Sequence, residues 1–261
     1  MGKRGLVHRD RGVALLIVLL VTALLIALIF EFAYGTRVSL RGAVNFRDSQ
    51  RAYFLARSGV AIFTKFKELK DMVPQGEWGV VPIISAGDTE VRFKWEDERG
   101  KLNINEVNST ASLTPDGVEQ LFSQWQVSTA VFDQVKELRR RDGQLKLLTE
   151  LRKVMSDEDY NKVSRFLTVS SDNKININTA SEDVLNSVLI NNKVAVGMIV
   201  NNRKNKPIEA LGDVGLTQSN TPNNIFANLV TTNGTLMVYS YATVGGYTKQ
   251  IESIGTYWSV Q

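Results

Sequence analysis

The strongest signal in the chain is an unbroken apolar run at residues 13–30, VALLIVLLVTALLIALIF, with no charge and Thr22 as its one polar residue. At 1.5 Å per residue that is about 27 Å of helix, the hydrocarbon thickness of a bilayer. A cleaved secretory signal would be shorter and would end in an A-x-A-like site. This run continues instead into Glu31-Phe32-Ala33-Tyr34-Gly35, which favours a retained span. Beyond it, no proline occurs before Pro74, and Tyr53, Ala56, Val60, Phe63 and Phe66 recur at helical spacing. The pattern predicts one helix from residue 13 to about residue 72, half in lipid and half with a face to pack. Gly35, Gly42 and Gly59 each cost it about 1 kcal/mol against alanine, as bends or as points of close packing.

Alternation then replaces the helical period. Strands are predicted at 79–84, 89–96 and 101–104, with Gly87-Asp88 and Arg99-Gly100 as turns. A hairpin across Gly245-Gly246 is predicted from 236–244 and 250–258. Residues 108–216 turn helical again. Thr114-Pro115 and Ser128 read as helix starts, Gly143 as a stop, 148–155 as a short helix, Ser156 as a cap, and Thr179 to Glu182 as a capping box. A faint echo links Lys101-Leu102-Asn103-Ile104-Asn105 to Lys174-Ile175-Asn176-Ile177-Asn178, each ahead of a helical stretch.

The expected fold class is α+β: a long N-terminal transmembrane and amphipathic helix on a small antiparallel sheet, with a large helical domain inserted between strands. The expected divisions are a leader at 1–12, a helix at 13–72 that spans the membrane over 13–30, sheet at 73–107, insert at 108–216 and sheet again at 217–261.

Charge adds an orientation. The net charge is +4, and Lys3, Arg4, Arg9 and Arg11 against Asp10 supply most of it ahead of the span. That places the amino end in the cytoplasm, although Arg37 and Arg41 beyond the span reduce the asymmetry. The rest of the chain is nearly neutral, so its basic isoelectric point does not argue for a polyanion partner. Cysteine is absent and His8 is the one histidine. Thiolate nucleophiles, iron–sulfur clusters and sulfur-ligated zinc are thereby excluded, and an enzyme with an imidazole base is disfavoured once His8 falls in a removable leader. No Gly-rich phosphate loop or nucleophile–base pair is present; Asp157 and Asp159 read as helix-cap carboxylates.

The basic leader ending Arg11-Gly12, the run VALLIVLL and AYFLARSGV at 52–60 resemble a class III signal of the type IV pilin superfamily. The resemblance implies that a prepilin peptidase cuts between Gly12 and Val13 and that the new Val13 amine is methylated. The family's glutamate at the fifth mature position is here Ile17. A carboxylate in hydrocarbon costs about 2.5–3.5 kcal/mol and in the family pairs with a neighbour's amine, so Ile17 suits a subunit with nothing above it. A plain membrane anchor is the competing reading. Val13, Ile17 and Phe30 are the expected transmembrane packing positions.

DERGKLNIN at 97–105, LLTELRKVM at 147–155, LTVSSDNKININTASEDVL at 167–185 and AVGMIVNNRKNKPIEALGDV at 195–214 resemble, in that order, the K-component family of type II secretion minor pseudopilins. That resemblance implies a non-enzymatic subunit at the tip of a periplasmic pseudopilus, anchored by a single pass in the inner membrane, which helps start assembly and export. Its implied partners are two other minor pseudopilins, the major pseudopilin, the prepilin peptidase and the inner-membrane assembly platform. Some relatives bind calcium. No motif maps their ligands here, and Glu96, Asp97 and Glu98 are the acidic candidates, with a solvated turn as the alternative. Two rivals remain. A minor pilin of a type IV pilus can share the start but generally lacks the insert. A membrane-tethered helix-hairpin-helix DNA-binding protein shares the outline of 176–214, but Leu189 to Lys193 has no glycine where such hairpins bring backbone amides to phosphate.

Overall fold

A computed structural model describes residues 7–65, 72–81, 85 and 87–256 of the 261. Helix α1 (Val7–Lys65) is continuous. Residues 66–71, where the helix was expected to go on, lie outside the described residues, as do 82–84 of the first expected strand. The carboxy-terminal third of α1 rests on a four-stranded antiparallel sheet of β1 (Gly79–Val80), β2 (Thr89–Asp97), β7 (Thr235–Val244) and β8 (Tyr247–Thr256), in the order β1-β2-β7-β8. Strict alternation on β2 sends Val91, Phe93 and Trp95 inward. Leu236, Val238 and Ala242 of β7 join them under Ala56 and Phe63 of α1. The β7–β8 turn is the two-residue Gly245-Gly246, with φ of 55° and 85°. Positive φ at both central residues is what a type I′ hairpin needs, and glycine adopts it freely.

Between β2 and β7 the chain leaves the sheet and builds a second core that runs from Leu102 to Leu229, on both sides of the expected 108–216. The 101–104 strand is a correction to the sequence expectation. Its strand part, β3 (Leu102–Asn103), is not in the sheet but pairs in parallel with β4 (Leu167–Thr168) inside this module. Its apolar side chains, Leu102 and Ile104, belong to the module core, and the chain must turn away from β2 to bury them.

The module is one unit built twice, and the faint sequence echo marks both copies. In the first, β3 leads through α2 (Thr114–Gln124), α3 (Thr129–Asp142), a 3-10 turn at Leu148–Lys153 and α4 (Asp157–Val163) to β4. In the second, β5 (Ile175–Asn176) leads through α5 (Glu182–Val188), α6 (Lys193–Asn202), a 3-10 turn at Leu211–Val214 and α7 (Asn223–Phe226) to β6 (Leu229–Val230). The strand β5 pairs in parallel with β6 just as β3 pairs with β4.

The last asparagine of each echo does the same work. The Asn105 amide donates to the carbonyls of Leu145 and Val169 at 3.0 Å and its oxygen accepts from Leu145 N at 2.8 Å. Asn178 donates to Ile208 and Thr231 at 2.9 Å and accepts from Ile208 N at 2.8 Å. Each therefore replaces a missing strand between two passages of chain. Asn105→Ala and Asn178→Ala should each lower the unfolding free energy by about 2–3 kcal/mol, because three bonds go and leave buried or half-buried backbone partners unanswered. Urea melts of the two single variants and the double check this, with near-additive losses expected across the two units.

Two helix starts differ from the pattern-based expectation. The cap before α2 is Leu113, and Thr114, one residue on, takes its bond from backbone N to Ser112 Oγ at 3.0 Å. The α5 cap is Ser181, accepting from Val184 N, and no Thr179–Glu182 box forms. Thr179 is drawn away by a buried carboxylate described below.

Candidate functional site

Three surfaces carry chemistry, and the first is the amino half of α1. Val13, Ile17 and Phe30 are all exposed, Ile17 at 56%. Val13 and Ile17 share a helix face at i, i+4, whereas Phe30 falls on a different side. The most apolar 18-residue window of this helix has none of its residues buried within the chain. Thr22 Oγ turns back on the carbonyls of Val18 and Leu19 at 3.0 and 2.9 Å, so the run offers lipid no unsatisfied hydroxyl. A side chain added at Gly12 would meet nothing within 4 Å. Among the described residues this half of the helix has no partner, and it needs lipid or other helices around it.

The second surface is the neck where β2 enters the module, and it corrects the solvated-turn alternative for Glu96, Asp97 and Glu98. Asp97 is wholly buried and Glu98 nearly so. Alternation at the end of β2 turns Asp97 away from Glu96, and the 3-10 turn Glu98–Gly100 that follows brings Glu98 back beside Lys101, which Glu96 also contacts. Asp97 accepts from Arg99 N at 3.1 Å, Asn176 Nδ2 at 2.8 Å and Thr179 Oγ1 at 2.9 Å. Glu96 and Glu98 both take the Lys101 ammonium, at 2.7 and 3.0 Å, and Thr168 Oγ1 donates to Glu98. Lys94 holds the other oxygen of Glu96 at 2.7 Å. The calcium candidates therefore do not converge. An ammonium already bridges two of them and neutral donors saturate the third, and no three His, Cys, Asp or Glu come together for a metal among the described residues. Arg99 completes the neck, pairing with Asp172 in the linker between the two units and donating to the carbonyls of Thr232 and Asn233 at 3.1 Å. Residues 97–101 thus tie together the entry to the module, the link between its units and its exit. Lys101, Thr168, Asn176 and Thr179 were not singled out as site residues; the echo was the one signal that pointed to two of them.

The charges of the neck set a pH window. Burial alone would raise the Glu96 carboxyl, but the charges and hydrogen bonds of Lys101 and then Lys94 outweigh it and hold it below the ordinary 4.5. Burial likewise opposes the charge on Lys101, but Glu98 and Glu96 raise it above 10.5. The Tyr239 hydroxyl, beside Glu96 on the outer face of the sheet, is pushed up from 10.0 to about 12 by burial first and then by that negative charge. Stability from Glu96 is present above pH 4.5 and is lost as the pH falls through its lowered value. Stability from Lys101 and Tyr239 is present below about pH 10 and is lost as the pH rises through their raised values. The chain should accordingly show a plateau between about pH 5 and 10 with losses on both sides. Tyrosinate absorbance should show one late-ionising hydroxyl that Tyr239→Phe removes.

The third surface is an open cleft of about 1370 Å³ between the outer face of the sheet and the module. Met237, Tyr239, Glu252 and Ile254 line one side of it and Leu147, Leu148, Tyr160 and Arg165 the other. The hairpin Leu189 to Lys193 lies elsewhere, between α5 and α6 of the second unit, with Ile190 and Val194 exposed.

No family model matches this sequence, and no curated protein matches it. A solved structure does share the fold: a chain of the crystal structure of the GspK-GspI-GspJ complex from the enterotoxigenic Escherichia coli type 2 secretion system, with a TM-score of 0.60 and 12% sequence identity. The likeness covers 83% of this chain and 97% of that one. It establishes the α+β pilin-like fold with its inserted module.

Proposed function

We propose that this chain is a minor pseudopilin, the K component of a type II secretion system, and that it sits at the tip of the pseudopilus, where it helps start assembly and supports protein export across the outer membrane. The observation that carries the reading is the insertion of a two-unit helical module between β2 and β7 of a small sheet that rides on an exposed apolar helix. That layout runs nearly the full length of the solved chain it resembles, whose structure is a complex named for three components. Two further minor pseudopilins are therefore the partners proposed here, with the major pseudopilin below and the assembly platform in the inner membrane. The role is mechanical, with no catalytic step.

On this reading the leader ends at Gly12, and Val13 becomes a methylated amino terminus held in the inner membrane with the bulk of the chain in the periplasm. Ile17 leaves no carboxylate to receive the amine of a subunit above, while the Val13 amine is free to meet the acid of one below. The bulk of the module closes the end of the filament.

Purifying the full chain from membranes of cells that also make the other minor subunits tests this. Two co-purifying minor subunits and an intact mass that begins at methylated Val13 are expected. Gly12→Ala should retain the leader and lose function; a side chain there touches nothing, so the loss would reflect the peptidase and not the fold. An intact leader on the working protein, or its repetition along the filament shaft, would refute the proposal.

A further inference from the structure

Among the described residues strand β8 is one edge of the sheet, ten residues long, while the opposite edge strand β1 has two. Because Val244 and Tyr247 flank a two-residue turn, they form a hydrogen-bonded pair, and pairing alternates from there. Lys249, Ile251, Ser253 and Gly255 spend their backbone groups on β7. Thr248, Gln250, Glu252 and Ile254 turn theirs outward. Among the described residues no backbone hydrogen bond reaches that edge.

Long edges in soluble folds are normally blunted by proline, a bulge or a covering element. The edge of β8 carries charge only at Lys249 and Glu252, has no proline, and keeps its register with β7 without a bulge. Its outward residues Glu252 and Ile254 also line the cleft, where Ile254 is 52% exposed and Leu147 across from it 64%. Lys146, Arg165 and Lys204 stand exposed around the same cleft without a carboxylate partner among the described residues. At about 1370 Å³ the cleft exceeds the roughly 300–1,000 Å³ of small-molecule sites.

We infer that β8 is a docking edge for an extended segment of another polypeptide, one that adds a strand through the outward groups of Thr248 to Ile254 and places apolar and acidic side chains in the cleft. Backbone pairing supplies the attraction, and Ile254, Leu147 and the three cations select the sequence. A second copy is a poor fit for this edge. Antiparallel pairing of β8 with itself would point the two α1 helices in opposite directions, which a shared membrane anchor forbids. The inference stands whichever filament the chain joins.

The test uses the full chain in detergent with three nine-residue probes: an alternating valine–threonine peptide carrying two glutamates, the same peptide with two lysines, and the acidic peptide N-methylated at alternate amides. Fluorescence anisotropy should give micromolar binding of the acidic probe and at least about tenfold weaker binding of the other two. Gln250→Pro removes an amide that points only outward, and Ile254→Lys reverses the apolar contact. Each should weaken the acidic probe about tenfold while thermal unfolding stays near that of the parent. Equal binding of the N-methylated probe to the parent chain, or undiminished binding by both variants, overturns the inference. Concentration-dependent dimers dissolved by Gln250→Pro would also overturn it, by giving the edge to a second copy.

Discussion

Asp97→Ala should lower the unfolding free energy by about 3–5 kcal/mol, the loss expected when a buried charge that saturates several donors is removed and the donors remain. Asp97 is fully buried and gathers Arg99 N, Asn176 Nδ2 and Thr179 Oγ1, which come from two separate passages of the chain. Truncation leaves a void at the neck as well as unanswered polar groups. Asp97→Asn keeps the volume and one acceptor oxygen but turns an amide toward other donors, so it should cost roughly half as much. Urea denaturation of the full chain in detergent reads both. A loss below about 1 kcal/mol for the alanine variant would mean that the neck does not hold the module to the sheet.

Gly59→Val should separate α1 from the sheet. A Cβ at Gly59 would overlap Ser240 Oγ and lie 3.1 Å from Val91 Cγ1, and both neighbours are fully buried. Helix and strand have no room to move apart without opening the core of Ala56, Phe63, Phe93 and Val238. Overpacking of this kind costs about 1–3 kcal/mol, and the added branch at a backbone contact puts the expected loss near the upper end. The control is Gly35→Ala, where nothing lies within 4 Å and the better helix former should gain about 1 kcal/mol. Proteolysis of the α1–sheet junction and urea melts distinguish the two. Equal effects at both glycines would contradict the close approach.

Three of the glycines of α1 show where pattern stops being informative. In sequence Gly35, Gly42 and Gly59 are alike, interruptions of a strong helical period. In the structure two face open space and one is the contact point with β7, because which side of a helix meets a sheet depends on residues almost two hundred positions away. The acidic triplet behaves the same way. Three consecutive carboxylates suggest a solvated turn or a cation site, yet the end of β2 and the 3-10 turn after it divide them, and partners from three chain passages hold them.

Residue order alone determined what depends on local periodicity and composition: the membrane-length helix, the strands β2, β7 and β8, the Gly245-Gly246 turn, the helical character of the stretch between β2 and β7, and the lack of cysteine. These follow from apolar spacing and backbone preference within a few residues. Tertiary structure decided what depends on partners distant in sequence. It moved 101–104 out of the sheet, turned the echo into two units each closed by an asparagine, made Lys101 the counter-ion of two glutamates, and, among the described residues, left β8 at the edge of the sheet. No local pattern specifies which passages of the chain will share a buried charge or an unpaired strand, because that is settled by the burial of Leu102, Ile104, Ile175 and Ile177 in a core assembled from the whole module.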